Sequence, residues 1–278
     1  MALIIENLSF SYAPTGTPLA HSGGRSRKRQ GDGDLRGKSP VMPGAPLFND
    51  FSAEFPRGAI TAVTGPNGSG KTTLARLLVG ILKPSSGDVY IDGESVRGMT
   101  LTEVGGRVGY VMQDTGRQIF KTTVADEMLF GLHNIGMAED DAAKLTDEYL
   151  EMFGLSDRKE DFPFAMSTGE RQRLVLAAVL AMKPSYLILD EPTSSLDPGR
   201  RSILGKYLSA TRAKDDIGIA LISHDKKFVT NYADAVIDLS SVSGQCGGTK
   251  ENVGVFFTQP DDSSALHTPP DTDPGGKQ

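Results

Sequence analysis

The chain has 278 residues, a net charge of −6 at pH 7 and one cysteine, Cys246. That length allows one large α/β domain or two small ones. A single cysteine excludes an internal disulfide and any multi-cysteine metal site. The net negative charge argues against a protein that binds nucleic acid over a large part of its surface. No apolar run approaches the roughly 20 residues that cross a bilayer, and the first residues are typical of a strand rather than a signal peptide.

The first part of the chain alternates between strand patterns and turn residues. Apolar β-forming residues predict strands at Ala2–Tyr12, Leu47–Phe55, Ala59–Thr64 and Gly87–Asp92. A helix is predicted between the last two of these strands, ending near Gly80.

Residues 13–46 interrupt this pattern, because Gly, Pro, Ser, Arg and Lys dominate them. Such a composition buries too little apolar surface to offset its ordering entropy, so we expect a disordered insertion. Its basic run Arg25–Arg29 has two interpretations: contact with anionic lipid or nucleic acid, or a solvated loop without a partner. Residues 241–278, rich in Gly, Ser, Pro and Asp, are expected to form a disordered tail.

The rest of the chain alternates between helix and strand patterns, as α/β folds do. Helices are predicted at 123–135, 139–153, Ser167–Met182 and Ile203–Thr211. Strands are predicted at Arg107–Gln113, Tyr186–Asp190, Gly218–Ser223 and Ala235–Leu239. No internal repeat is visible, which favours one domain over a tandem pair.

A glycine-rich segment stands between the third predicted strand and the helix after it: Gly65, Pro66, Asn67, Gly68, Ser69, Gly70, Lys71, Thr72 and Thr73. It fits the G-x-x-x-x-G-K-[ST] phosphate loop, whose glycines let backbone N–H groups face phosphate oxygens. In that motif the lysine, here Lys71, reaches the β- and γ-phosphates, and the next hydroxyl, here Thr72, binds Mg²⁺. The phosphates would lie at a helix N-terminus, where the dipole favours anions.

Two carboxylates, Asp190 and Glu191, follow the all-apolar strand that starts at Tyr186. Ligands of open α/β sheets bind at this carboxyl edge. Asp190 is expected to hold Mg²⁺, usually through water, and Glu191 to polarise an attacking water.

These motifs and their order resemble ABC-type ATPases, the nucleotide-binding subunits of ABC transporters, over residues 1–12 and 46–240. The segment 166–173 resembles the signature motif, usually Leu-Ser-Gly-Gly-Gln, and 194–197 matches the D-loop. The resemblance implies an α/β P-loop NTPase fold with a mixed β-sheet core, an antiparallel β subdomain and a helical signature subdomain, the last including residues from about 114 to 165.

The resemblance also implies ATP and Mg²⁺ as cofactors and assigns roles to residues. The adenine would stack on Tyr12, and the phosphates would contact residues 65–73. The implied catalytic residues are Lys71, Gln113 (the Q-loop position), Glu191 and His224 (the switch histidine). The implied metal ligands are Thr72, Gln113 and Asp190. The signature residues Ser167 and Gly169 and the D-loop residue Asp197 would complete the nucleotide site.

The run Gln113–Phe120, with 123–127 and 130–132, is similar to the energy-coupling-factor and cobalt-type importers. This similarity implies a head-to-tail dimer with a second ATPase subunit, identical or not, docked on transmembrane subunits near Gln113–Phe120. The chain would then lie at the cytoplasmic face of the membrane and energise import of a vitamin or transition-metal ion. No nucleic acid partner is expected.

Thr168 and Glu170 replace the usual Gly and Gln of the signature motif. A β-branched side chain and a negative charge near the phosphates would weaken this half-site. Ser167 and Glu170 also fit a helix capping box.

Two other functions remain as alternatives to a transporter subunit. A soluble ABC ATPase acting on DNA or ribosomes usually has a long coiled coil or tandem domains, which this sequence lacks. A P-loop small-molecule kinase would lack the signature motif and the switch histidine.

Overall fold

The structure is a computed structural model that describes residues 1–12, 46–194, 196–241 and 255–257. The predicted insertion at 13–46 lies outside the described residues except for its last position. Most of the predicted tail lies outside them as well. Among the described residues, no helix has the length and apolar character needed to cross a membrane.

One layer of the described fold is an antiparallel sheet with the strand order β2-β1-β4-β5. Its strands are β1 (Ala2–Phe10), β2 (Phe48–Pro56), β4 (Ser86–Ile91) and β5 (Glu94–Ser95). Asp92 and Gly93 join β4 to β5 with φ angles of 51° and 88°, the backbone that Asp-Gly hairpin turns require.

The second layer is a sheet with the order β10-β9-β3-β8-β7-β6. Its strands are β3 (Ile60–Thr64), β6 (Val108–Val111), β7 (Tyr186–Asp190), β8 (Gly218–Ile222), β9 (Ala235–Asp238) and β10 (Val255–Phe257). All described pairings in it are parallel except that of β9 with β10. The parallel strands therefore end at one edge, which brings the loops after β3, β6, β7 and β8 together.

Seven helices cover this sheet within the described residues: α1 (Lys71–Leu78), α2 (Leu101–Arg107), α3 (Val124–Asn134), α4 (Glu139–Met152), α5 (Thr168–Ala181), α6 (Pro198–Asp215) and α7 (Lys226–Tyr232). Helices α3, α4 and α5 pack on one another. They form the helical layer that carries the signature segment.

Two cores lie on the two faces of the parallel sheet. Leu187 and Leu189 of β7 belong to the core with the helical layer, whereas Ile188 belongs to the core with α1 and the antiparallel sheet. Successive side chains of a strand point to opposite faces, so an all-apolar strand is needed where both faces are buried. The all-apolar pattern therefore predicts this strand, and its predicted first and last residues, Tyr186 and Asp190, are both confirmed.

Several parts of the described chain differ from the sequence prediction. Helices α2 and α7 and strand β10 were not predicted, and Arg107 ends α2 rather than beginning a strand. The predicted helix at Ile203–Thr211 is too short. Helix α6 begins at Pro198 because Asp197 caps it, and proline is favoured at the first helical position.

Candidate nucleotide and hydrolysis site

The phosphate loop connects β3 to α1 through a chain of left-handed glycines. Gly65, Gly68 and Gly70 have φ angles of 145°, 86° and 97°. A Cβ atom at position 70 would lie 2.8 Å from the ring of Phe48. A side chain at position 70 is therefore opposed both by the backbone conformation and by the packing of β2.

Lys71 lies across this loop. Its Nζ donates to the carbonyl oxygens of Gly65 and Pro66 at 2.9 and 3.1 Å, and its side chain is buried. The ammonium is therefore placed beside the backbone that would surround a phosphate.

The N-terminus of α1 is open to an anion. Helix α1 has no side-chain cap, and the N–H groups of its first turn have no acceptor within the helix. The Oγ of Ser69 is buried and has no hydrogen-bond partner among the described residues. These donors fit a phosphate group, which accepts hydrogen bonds from several directions.

Tyr12 lies next to the same loop. Its hydroxyl lies 2.9 Å from Oγ1 of Thr73, and its ring meets Phe10 edge to face with centroids 5.0 Å apart. About half of the residue (51%) is exposed. The ring can therefore offer a face to a planar base near the phosphates.

Asp190 lies at the carboxyl end of β7, where Thr72 reaches it. Thr72 Oγ1 donates to Asp190 Oδ1 at 3.3 Å, and the Tyr110 hydroxyl donates to Oδ2 at 3.3 Å. Burial raises the pKa of Asp190 above its usual value. Burial and the neighbouring Asp190 raise the pKa of Tyr110 to about 12, so this phenol keeps its proton.

The oxygen donors Thr72 and Asp190 fit Mg²⁺, which takes one or two protein oxygens and completes its shell with substrate phosphates and water. The described residues contain no group of three or more His, Cys, Asp and Glu side chains arranged to hold a metal.

Glu191 is held in a strained backbone conformation. Its φ is 54°, and such left-handed conformations of residues other than glycine cost about 1–3 kcal/mol. Its N–H donates to the carbonyl of Ile222 at 2.9 Å, which ties the turn after β7 to the end of β8.

The buried carboxylate of Glu191 contacts His224 at the end of β8. Oε2 lies 2.7 Å from Nδ1 of His224, whose side chain is 64% exposed. The predicted water-polarising carboxylate and the predicted switch histidine are thus adjacent, and most of the imidazole ring stays exposed.

Gln113 shares no hydrogen bond with the predicted metal ligands Thr72 and Asp190 among the described residues. Its side chain is exposed and makes no hydrogen bond with the described part of the chain. Gln118 instead binds the end of β6, accepting from Met112 N at 2.6 Å and donating to Tyr110 O at 2.8 Å. The roles predicted for Gln113 stay predictions.

The signature segment begins α5 with a reciprocal cap, which confirms the predicted capping box. Ser167 Oγ accepts from Glu170 N at 3.3 Å, and Glu170 Oε2 accepts from Ser167 N at 2.9 Å. The hydrogen bonds from Ser167 lower the pKa of Glu170. Arg158 lies 3.6 Å from the same carboxylate, so the charge of Glu170 already has partners.

The D-loop lies between the hydrolysis residues and α6. Asp197 caps α6 by accepting from Arg200 N at 2.9 Å, and Ser194 Oγ donates to Glu191 O at 3.0 Å. The side chain of Arg200 covers Gly169, where an added Cβ would lie 3.4 Å from the guanidinium carbon.

Sequence reasoning missed Tyr110, which contacts Asp190, and Arg200, whose side chain covers Gly169. The available signal was that each stands close to a motif residue: Tyr110 is three residues before Gln113, and Arg200 is three residues after Asp197. No described hydrogen bond or ion pair joins the signature segment to the phosphate loop.

The sequence profile of the ABC transporter family matches residues 48–194. The energy-coupling factor transporter ATP-binding protein EcfA of Methanothermobacter thermautotrophicus is 37% identical over 211 residues, covering 75% of this chain and 68% of that protein. A candidate ABC transporter ATP-binding protein of Methanosarcina acetivorans is 40% identical over 196 residues. That match covers 70% of this chain but only 31% of the relative's length.

Solved structures are also similar to this chain. The structure of cbiO1 from Clostridium perfringens, described as part of the ABC transporter complex cbiONQ, has a TM-score of 0.68 at 30% identity. The alignment covers 85% of this chain and 83% of cbiO1. The ATP-binding subunit of another ABC transporter has a TM-score of 0.69 at 21% identity and covers 90% of each chain, which supports the fold alone. The predicted fold class is confirmed, and the chain belongs to the ABC transporter family, whose ATP-binding, ATP-hydrolysing domain it carries.

Proposed function

We propose that this chain is the ATP-hydrolysing subunit that energises a membrane importer of the energy-coupling-factor or cobalt type. The observation that carries the proposal is the convergence of Lys71, Thr72, Asp190 and Glu191 at one edge of the parallel sheet. The similarity to EcfA and cbiO1 supports the importer class. The transported cargo would be a vitamin or a transition-metal ion.

Nucleotide binding follows from the loop geometry. Tyr12 would stack on adenine, while Lys71 and the free N–H groups of α1 would bind the phosphates. Mg²⁺ would be held by Thr72 and Asp190, with Gln113 as a further ligand, and it would neutralise charge on the phosphate oxygens.

Hydrolysis would use Glu191 to orient the attacking water and accept its proton. His224 would donate to the γ-phosphate, and its contact with Glu191 would fix the ring for that purpose. Lys71 would stabilise the charge that spreads over the transferred phosphoryl group. The contact between Glu191 and His224 and the position of Lys71 across the phosphate loop support these roles.

The remaining contacts would come from a second subunit. The family resemblance supports a head-to-tail dimer, in which Ser167, Gly169 and Asp197 of one chain would face the nucleotide of the other. The partner is either a second copy or a related ATPase subunit. ATP would hold the dimer closed and its hydrolysis would open it.

Exposed aromatic side chains support a docking surface for transmembrane subunits. Phe120 and Phe130 are 69% and 37% exposed, and their ring centroids are 6.2 Å apart. The buried carboxylate of Glu127 fixes the adjoining backbone by accepting from the N–H groups of Phe120 and Lys121, both at 2.8 Å. A membrane subunit bound here would hold the chain at the cytoplasmic face of the membrane.

Proteoliposome transport tests this proposal. The full chain would be reconstituted with transmembrane subunits of an energy-coupling-factor importer, and uptake of labelled vitamins, Co²⁺ and Ni²⁺ would be measured with ATP on the chain's side. We expect uptake with wild-type protein and none with the Glu191→Gln variant. ATPase activity that nucleic acid or ribosomes stimulate, without any uptake, would favour the soluble alternative.

A further inference from the structure

Tyr110 contacts the carboxylate expected to bind Mg²⁺, although it belongs to none of the motifs that indicate the function. Its hydroxyl donates to Oδ2 of Asp190 at 3.3 Å, and Thr72 donates to Oδ1 at the same distance. Each carboxylate oxygen therefore has one hydroxyl donor. The donors come from different elements, β6 and α1.

The contact depends on the register of the parallel sheet. Tyr110 pairs with Ile188 on β7, and Asp190 follows Ile188 by two residues. Residues two apart on a strand face the same side of the sheet, so the long side chain of Tyr110 reaches the carboxylate diagonally. Asp190 is only 2% exposed, so protein groups rather than bulk water fix the orientation of its carboxylate.

The backbone of Tyr110 is fixed in turn by Gln118. The Gln118 side-chain amide bridges the backbone of β6 across Val111, donating to Tyr110 O at 2.8 Å and accepting from Met112 N at 2.6 Å. Tyr110 therefore donates its hydroxyl to Asp190 from the end of β6, where Gln118 holds the backbone in place.

We propose that Tyr110 is a positioning residue for the metal site: its hydroxyl holds Asp190 in the orientation that presents Oδ1, beside Thr72, to nucleotide-bound Mg²⁺. Tyr110 does not itself contact the metal in this arrangement. Mg²⁺ demands near-ideal octahedral geometry, so a carboxylate that is free to rotate would bind it less well. The inference rests on the proposed Mg²⁺–ATP site and adds a residue that fixes its geometry.

The test is binding of a fluorescent ATP analogue to the full-length Tyr110→Phe chain, titrated with free Mg²⁺ and repeated in EDTA. We expect the Mg²⁺ concentration for half-maximal binding to rise about tenfold, because a hydrogen bond to a charged group is lost. Binding in EDTA should equal that of the wild type.

Tyr186→Phe is the matched control. Tyr186 lies at the other end of β7 and also donates its hydroxyl to a carboxylate, that of Asp92. Its removal should lower the melting temperature and leave the Mg²⁺ requirement unchanged.

An unchanged Mg²⁺ requirement in Tyr110→Phe would overturn the inference. Loss of binding in EDTA would overturn it too, since the hydroxyl would then serve the nucleotide or the fold. If binding of the ATP analogue to the wild-type chain did not depend on Mg²⁺, the proposed metal site itself would be refuted.

Discussion

Oε2 of Glu191 lies 2.7 Å from Nδ1 of His224, although the residues are 33 positions apart in the chain. The two groups assigned to the water and to the γ-phosphate therefore form one unit within a single subunit. The strained backbone of Glu191, with φ of 54°, is what turns its carboxylate toward the end of β8. A local strain maintained by the fold is common where geometry matters for function.

The first prediction concerns Glu191 itself. Glu191→Gln removes the carboxylate that accepts the proton and leaves the phosphate loop intact. Turnover should fall about 10²–10⁴-fold, the usual contribution of a positioned base, while equilibrium ATP binding is retained. ATP-bound dimers should accumulate in size-exclusion chromatography with light scattering. Near-normal turnover in the variant would remove Glu191 from its proposed role.

Local patterns predicted the parts of the site that depend on neighbouring residues. Three such features could be predicted because each depends on residues only a few positions apart. They are the phosphate loop, the strand that ends at Asp190 and the capping box of Ser167 and Glu170. The apolar strands could be predicted because burial on both faces leaves little room for polar residues.

Contacts that depend on sheet register could not be predicted in this way. The approach of Tyr110 to Asp190 requires β6 to pair with β7 at Tyr110 and Ile188, and no local pattern specifies that pairing. The contacts of Gln118 with the backbone of Tyr110 and Met112 likewise follow from the fold rather than from a local pattern. Helix α2 contains Gly105 and Gly106, which lower helix propensity, yet Thr100 and Glu103 cap it.

The second prediction links Asp190 to stability. Burial raises its pKa in the folded chain above the ordinary value of 3.8. Between those two pKa values the folded chain binds more protons than the unfolded chain, so stability falls as pH rises through that window. Asp190→Asn removes this penalty, and its amide can still accept from one hydroxyl and donate to the other.

Nucleotide-free Asp190→Asn should therefore melt at a higher temperature than the wild type at pH 8. The difference should shrink as the pH is lowered through the raised pKa of Asp190, and hydrolysis should be lost at every pH. Calorimetry over a series of pH values from 8 downward checks this expectation. A variant that is less stable than the wild type at pH 8 would contradict it.

The third prediction concerns the unusual charge in the signature motif. Glu170 is hydrogen-bonded to Ser167 and lies 3.6 Å from Arg158. We therefore expect Thr168→Gly with Glu170→Gln to leave ATP-driven dimerisation unchanged within about twofold, because the charge that would repel phosphate already has partners. Sedimentation at low and high salt tests this. Tighter dimerisation at low salt that disappears at high salt would show that Glu170 repels the nucleotide, since exposed charges are screened within about 10 Å at 0.1 M salt.

The fourth prediction separates docking from catalysis. Phe120 is 69% exposed beside Phe130, and Phe120→Ser should weaken assembly with transmembrane subunits while the isolated chain hydrolyses ATP at its normal rate. The reason is that an exposed aromatic side chain has little to contribute to the fold but much to an interface core. Ile203→Ser is the matched control, because Ile203 is also 69% exposed and belongs to α6 rather than to the predicted docking segment Gln113–Phe120. Co-purification of detergent-solubilised complexes should show loss only for Phe120→Ser. Equal recovery of both variants would place the transmembrane contact elsewhere on the chain.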